Sequence, residues 1–173
     1  MSLGKNIKRV RLNGGNNFQI KSGGSWANLG HILKGQIEDQ TDSQEVTFAD
    51  GSTVDLDGKR KVKLTCTLAQ TSKEEIELVD DLRNSTYEGY FYNGIIDGKH
   101  QEFYFKELDI IPKMNLEVPG SPMQIVLEMS VAPQNANVSV VPDTGLPNDA
   151  FANGSGAVTG KNPYYVIIET AIT

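Results

Sequence analysis

Histidine and cysteine are nearly missing from this chain, which has two of the first and one of the second in 173 residues. Two histidines far apart with a single thiol make a structural zinc site improbable, and an intrachain disulfide cannot form. No glycine-rich loop ends in Lys-Ser/Thr, and there is no HExxH, CxxC or GxSxG. The stretch Asp55–Lys59, DLDGK, is too short and too poor in spaced acids to hold calcium. No apolar run approaches the roughly 20 residues that cross a bilayer. The start, MSLGKNIKRVRLNGG, is basic without an apolar segment behind it, which is not the pattern of a secretory signal. Synthesis and use in a cytoplasm, or release by lysis, is therefore expected, and the three Asn-x-Ser/Thr triplets at Asn84, Asn137 and Asn153 carry no weight. These absences leave no residue set that recruits an enzyme, and no metal or cofactor is expected.

What remains is ample for a folded domain. Hydrophobic residues make up 38% and charged residues 22%, enough to bury a core and too apolar for wholesale disorder. The net charge of −6 is unevenly spread. Residues 1–37 carry six Lys/Arg and no acid, leaving ten bases against 22 acids in the rest, a balance of −12. That segregation suggests contacts between one copy's basic N-terminal part and another copy's acidic body. Tight nucleic-acid binding by the body is disfavoured by the same charge.

Strand signals dominate. Short strands are expected at Ile7–Leu12, Phe18–Lys21 and His31–Glu38, with breaks at NGGNN and SGG and with Trp26 as an anchor. The clearest strand is KRKVKLTCTLAQ, where Val62, Leu64, Cys66 and Leu68 share one face and Cys66 acts as a small hydrophobe. Four more are expected over 86–94, 100–111, 122–131 and 164–170, the first two joined by an Asp97-Gly98 turn. The aromatics Tyr87, Tyr90, Phe91, Tyr92, Phe103, Tyr104 and Phe105 read as cross-strand pairs, with a sugar- or base-stacking platform as the alternative.

Before the clearest strand, EVTFADGSTVDL is a hairpin signal. A three-residue loop, Asp50-Gly51-Ser52, would pair Phe48 with Val54 and Val46 with Leu56, placing all four apolar groups on one face. The segment 38–60 is either an ordinary hairpin of the main sheet or a projecting arm. After that strand, SKEEIELVDDLRNS reads as a helix over about 72–84. Ser72 and Glu75 form a capping box, and Ile76, Val79 and Leu82 form a stripe that docks the helix on a sheet. The other side, with Glu74, Glu77, Asp80 and Asp81, faces outward. Between Pro133 and Pro163 lie thirty residues rich in turn formers, a length that is usually functional or linking. A single domain, 1–173, is thus expected: mainly β, an antiparallel barrel or sandwich with one flanking helix, a projecting hairpin at 38–60 and a loop or arm at 133–163.

This order of parts resembles the tail tube proteins of long-tailed bacteriophages and their relatives in contractile injection machines. The likeness rests on Trp26–Gly30, WANLG, then the hairpin with Asp-Gly at its tip, and above all Leu64–Leu82, where a strand runs through Gln and Ser/Thr into an acidic helix; it spans roughly residues 26 to 131. The resemblance implies a virion structural protein, not an enzyme, that assembles with itself into hexameric rings stacked as a hollow tube, alongside other tail or neck proteins. DNA would pass along an acidic lumen without sequence-specific binding. In such proteins the hairpin before the clean strand meets the next ring, which makes Val46, Phe48, Asp50, Gly51, Val54 and Leu56 the candidate inter-subunit residues. The basic first 37 residues leave a neck or terminator ring of the same fold open. A β-sandwich carbohydrate-binding module, with strands 87–92 and 103–105 as its platform, is the reading from a different class.

Overall fold

A computed structural model describes residues 17–69, 77, 80–83, 85–115 and 124–172. The strand expected at Ile7–Leu12 lies outside them. The described residues form nine strands: β1 Asn17–Ser22, β2 Ser25–Thr47, β3 Thr53–Ala69, β4 Thr86–Ile96, β5 Lys99–Asn115, β6 Gln124–Val131, β7 Ser139–Val140, β8 Val158–Thr159 and β9 Tyr165–Ala171. A short helix, α1, covers Pro142–Gly145. The protein is mainly β and antiparallel, with sandwich-like packing.

Seven strands form one sheet in the order β4-β1-β2-β3-β6-β5-β9. Because β4 also pairs with β5, the run from β4 to β5 returns on itself. The period-two pattern of β3 explains the centre. Leu64 lies opposite Met129 and Cys66 opposite Leu127, while Ile110 of β5 flanks Met129 from the other side. All five are at most 2% exposed. Phe18, Ile20, Phe91, Phe105 and Leu108 complete this inner core. Burial pushes the Cys66 thiol up to about 12, so it is inert as a nucleophile.

Leu82 also belongs to that core, at 1% exposure. Residues 77, 80 and 81 are helical, with Arg83 paired to Asp80 at 2.9 Å. Ile76 and Val79 lie outside the described residues.

A second core lies on the opposite face of the sheet. There Tyr90 and Tyr92 of β4, Tyr104 of β5, and Val166 and Ile168 of β9 meet Val138, Val140, Leu146 and Ala152 from the segment after β6. Alternate residues of β4 therefore face two different cores, and four in succession, Gly89 to Tyr92, are buried. Residues 134–163 run as a strap across this face, steadied by the small β7–β8 pair and α1. The tyrosines that sequence reasoning held open as a stacking platform are 0–2% exposed beneath the strap at 90, 92 and 104. The cross-strand reading stands: Phe91 lies opposite Phe103 and Tyr90 opposite Tyr104.

Candidate assembly interface

The β2–β3 hairpin is the longest feature of the molecule. β2 pairs with β1 only as far as His31, and β3 pairs with β6 only from Val62. Beyond those points the hairpin continues through Thr41 opposite Arg60 and Ser43 opposite Asp57 to Thr47 opposite Thr53. Among the described residues no third strand accompanies it. At about 3.3 Å per residue the stretch from Val62 to Thr53 spans roughly 30 Å.

The tip differs from expectation by one step. Phe48 N–H donates to Ser52 O at 2.8 Å and Gly51 N–H to Phe48 O at 2.9 Å, so the loop is Ala49-Asp50-Gly51. Val46 consequently faces Val54, and Leu56 faces Gln44, instead of the Phe48–Val54 and Val46–Leu56 pairs. The cause is local. Asp50 Oδ1 accepts from the Ser52 N–H at 2.9 Å and from its hydroxyl at 2.6 Å, which holds Ser52 opposite Phe48. Gly51 takes a φ of +82°, the left-handed residue that completes a three-residue loop. The shift is by an even step, so Val46, Phe48 and Val54 keep a common face, while the side chain of Leu56 lies outside those described.

Where the hairpin leaves the body, the register slips. Between the pairs Thr41–Arg60 and Ser43–Asp57, β2 advances two residues and β3 three. Such a bulge bends and twists the strands. Alternation along β2 then puts Val46 and Phe48 on the side opposite Ile37 and Asp39, so the arm's apolar face is not a continuation of the core face. Phe48 is 51% and Val54 44% exposed.

At that point four side chains converge. Arg60 meets Asp39 with both Nε and Nη2, the former at 2.7 Å. Tyr165 donates its hydroxyl to Asp39 Oδ2 at 3.0 Å, and Tyr164 donates its own to the Arg60 carbonyl at 2.9 Å. The Arg60 guanidinium also sits 5.1 Å from the centre of the Tyr164 ring, a cation–π arrangement. Arg60's hydrogen bonds hold the Asp39 carboxyl below its usual range; burial opposes this and Tyr165 adds to it. The Tyr165 hydroxyl is pushed up by burial and by the Asp39 charge it faces. None of this cluster was singled out from the sequence. The pair Tyr164-Tyr165 was visible only as the start of a strand.

The strap is held just as definitely. Glu102 is fully buried and accepts from the Tyr90 hydroxyl and from the N–H groups of Phe151 and Ala152, both at 2.8 Å. His100 stacks on Phe151 at 3.7 Å between ring centres, and its Nδ1 meets the Tyr92 hydroxyl at 2.9 Å. Gln19 donates to Asp149 at 2.9 Å. Three or more metal-ligating side chains do not cluster anywhere among the described residues, and none of their helices is long and apolar enough to cross a membrane.

No family model matches the chain, and no curated protein matches it. Parts of the chain are similar to solved structures at low identity. The chain is similar to one in the tail of an empty gene transfer agent particle of C6 symmetry, at 14% identity and a TM-score of 0.44, covering 68% of this chain and 91% of that one. It is similar to a chain of the sheath/tube terminator of an extracellular contractile injection system, at 7% identity and 0.45, over 66% and 88%. For Hcp1 from Flavobacterium johnsoniae the identity is 18% and the TM-score 0.37, over 66% and 89%.

Proposed function

We propose that this chain is a structural subunit that associates with itself, forming rings that stack into a tail tube through which DNA passes. The observation that carries the reading is the β2–β3 arm. A two-stranded ribbon is marginal in water by itself, yet this one extends roughly 30 Å past its neighbours at strand spacing. It turns an apolar face, Val46, Phe48 and Val54, away from its own core. Such a face needs a partner surface, and a second copy supplies one by head-to-tail contact that propagates along an axis. Further large apolar side chains, Ile95, Ile96, Ile111, Ile167 and Ile172, are 42–53% exposed on the lone chain, which fits burial between copies. The surplus of acids over bases keeps DNA from adhering to the wall. The chain carries out no turnover of its own in this role.

Replacing residues 45–56 by a short Gly-Ser link tests the proposal. The expected product is a folded subunit, seen as a cooperative melt, that forms rings or stays single but makes no long tubes by electron microscopy. Normal polymerisation of the shortened chain removes the arm from stacking, and a parent chain that stays monomeric at every concentration removes the assembly reading. Of the aromatics considered for carbohydrate binding, Tyr90, Tyr92 and Tyr104 lie covered by the strap.

A further inference from the structure

The end of the strap and the root of the arm are one construction. Asn162 Oδ1 accepts from the N–H groups of Tyr164 and Tyr165 at 2.9 and 3.1 Å, which fixes the backbone that presents both rings. Behind it, the Val138 N–H donates to Asn162 O at 3.0 Å and the Gln134 N–H to Pro163 O at 2.8 Å, tying this turn into the strap. Gly160 lies so close that an added Cβ would meet Tyr165 O at 2.7 Å. From the turn, the two tyrosines reach both strands of the hairpin, Tyr165 to Asp39 on β2 and Tyr164 to Arg60 on β3. The contacts fall next to the bulge at Thr41/Ser43, where the ribbon would otherwise bend most freely.

We infer that Asn162–Tyr165 is a lock that sets the direction in which the β2–β3 arm leaves the body, acting through the Asp39–Arg60 pair. Each strand is held by a separate hydroxyl, so the arm is fixed against twist as well as tilt. An arm about 30 Å long magnifies error at its root: a tilt of about 10° there moves the tip by about 5 Å, more than one residue of strand rise. Docking on another copy therefore requires the root to be rigid before contact. The strap, latched at Glu102, is what makes it rigid. For its role in assembly the inference rests on the proposed stacking; the lock itself is measurable in a single subunit.

The test places spin labels at Ala49→Cys in the tip loop and Asp109→Cys on β5, both exposed positions; buried Cys66 stays unlabelled. Distance distributions are compared for the parent, Asp39→Asn, and the double variant Tyr164→Phe/Tyr165→Phe, which removes both hydroxyls and keeps both rings. The expected result is a single narrow distance in the parent and a distribution at least twofold wider in each variant, with melting temperatures close to the parent's. Tubes from the variants are shorter and less regular by electron microscopy. Unchanged widths overturn the lock. So does broadening that scales with loss of melting temperature across the variants, since the arm then merely follows global stability. A narrow parent distance in a chain that never assembles supports the lock while refuting the stacking, so the two failures are distinguishable.

Discussion

Asp39 is the residue whose charge the arm depends on, and its pKa direction fixes how acid acts. Arg60 holds the folded-state value below the usual 3.8, so the carboxylate's contribution is fully present above that value and disappears as pH falls through the lower folded one. The expected outcome is an arm that stays ordered at neutral pH and loosens only below about pH 4. The Asp39→Asn variant shows no such transition. Spin-label distances recorded against pH check this, and a transition near neutrality would contradict it.

Glu102 makes the complementary case, a buried carboxylate that orders a loop. Glu102→Ala leaves the N–H groups of Phe151 and Ala152 without their acceptor, at about 1–3 kcal/mol for each donor so orphaned. Chemical denaturation should show a loss of that order, with amide exchange rising first over residues 146–154. Exchange that rises uniformly across the sheet would mean that the strap is not a separate unit. Neither residue stood out in the sequence, because each acts through partners between 12 and 126 positions away. Short-range patterns carry no trace of such pairs. The nearest signal was compositional: one acid among the aromatics of β5, where alternation expects an apolar group.

At the scale of elements, legibility followed period and turn chemistry. The face of Val62, Leu64, Cys66 and Leu68 was readable because β3 is apolar on one side only. The Asp97-Gly98 turn was readable because both residues take positive φ, +50° and +74°, as a tight hairpin demands. β2 was read in two pieces, one ending near Glu38 and the other beginning with the hairpin at Glu45, where a single strand runs to Thr47. The stretch between them is polar, and that polarity was taken for a break. The thirty residues after Pro133 were legible as unusual and no further. Their few apolar side chains, Val138, Val140, Leu146 and Ala152, are too widely and irregularly spaced to show that they share one target face. Leu82 supplies an element-level prediction. Leu82→Ala should cost about 2–5 kcal/mol, the range for a fully buried leucine, by urea denaturation. A change near zero would detach the acidic helical segment from the core.

Viewed whole, the molecule is a rolled sheet with two appendages, and the roll governs how it forms. Its pairings join parts of the chain that lie far apart in sequence: Asn17 with Tyr92, and Lys99 with Ala171. Topologies rich in such distant contacts fold slowly, on the order of milliseconds to seconds, because loop entropy is lost before the contacts form. Stopped-flow refolding of the parent is expected in that range, and a microsecond phase accounting for the full amplitude would contradict it. Until β1 meets β4, both strands are open templates for neighbouring chains. A newly made population is thus exposed to a disordered polymerisation of half-closed sheets, which competes with the ordered assembly proposed for finished subunits. Slower synthesis at lower temperature should favour the ordered one. The yield of soluble, correctly paired subunits, more than the yield of total protein, is where the meeting of β1 with β4 will be felt.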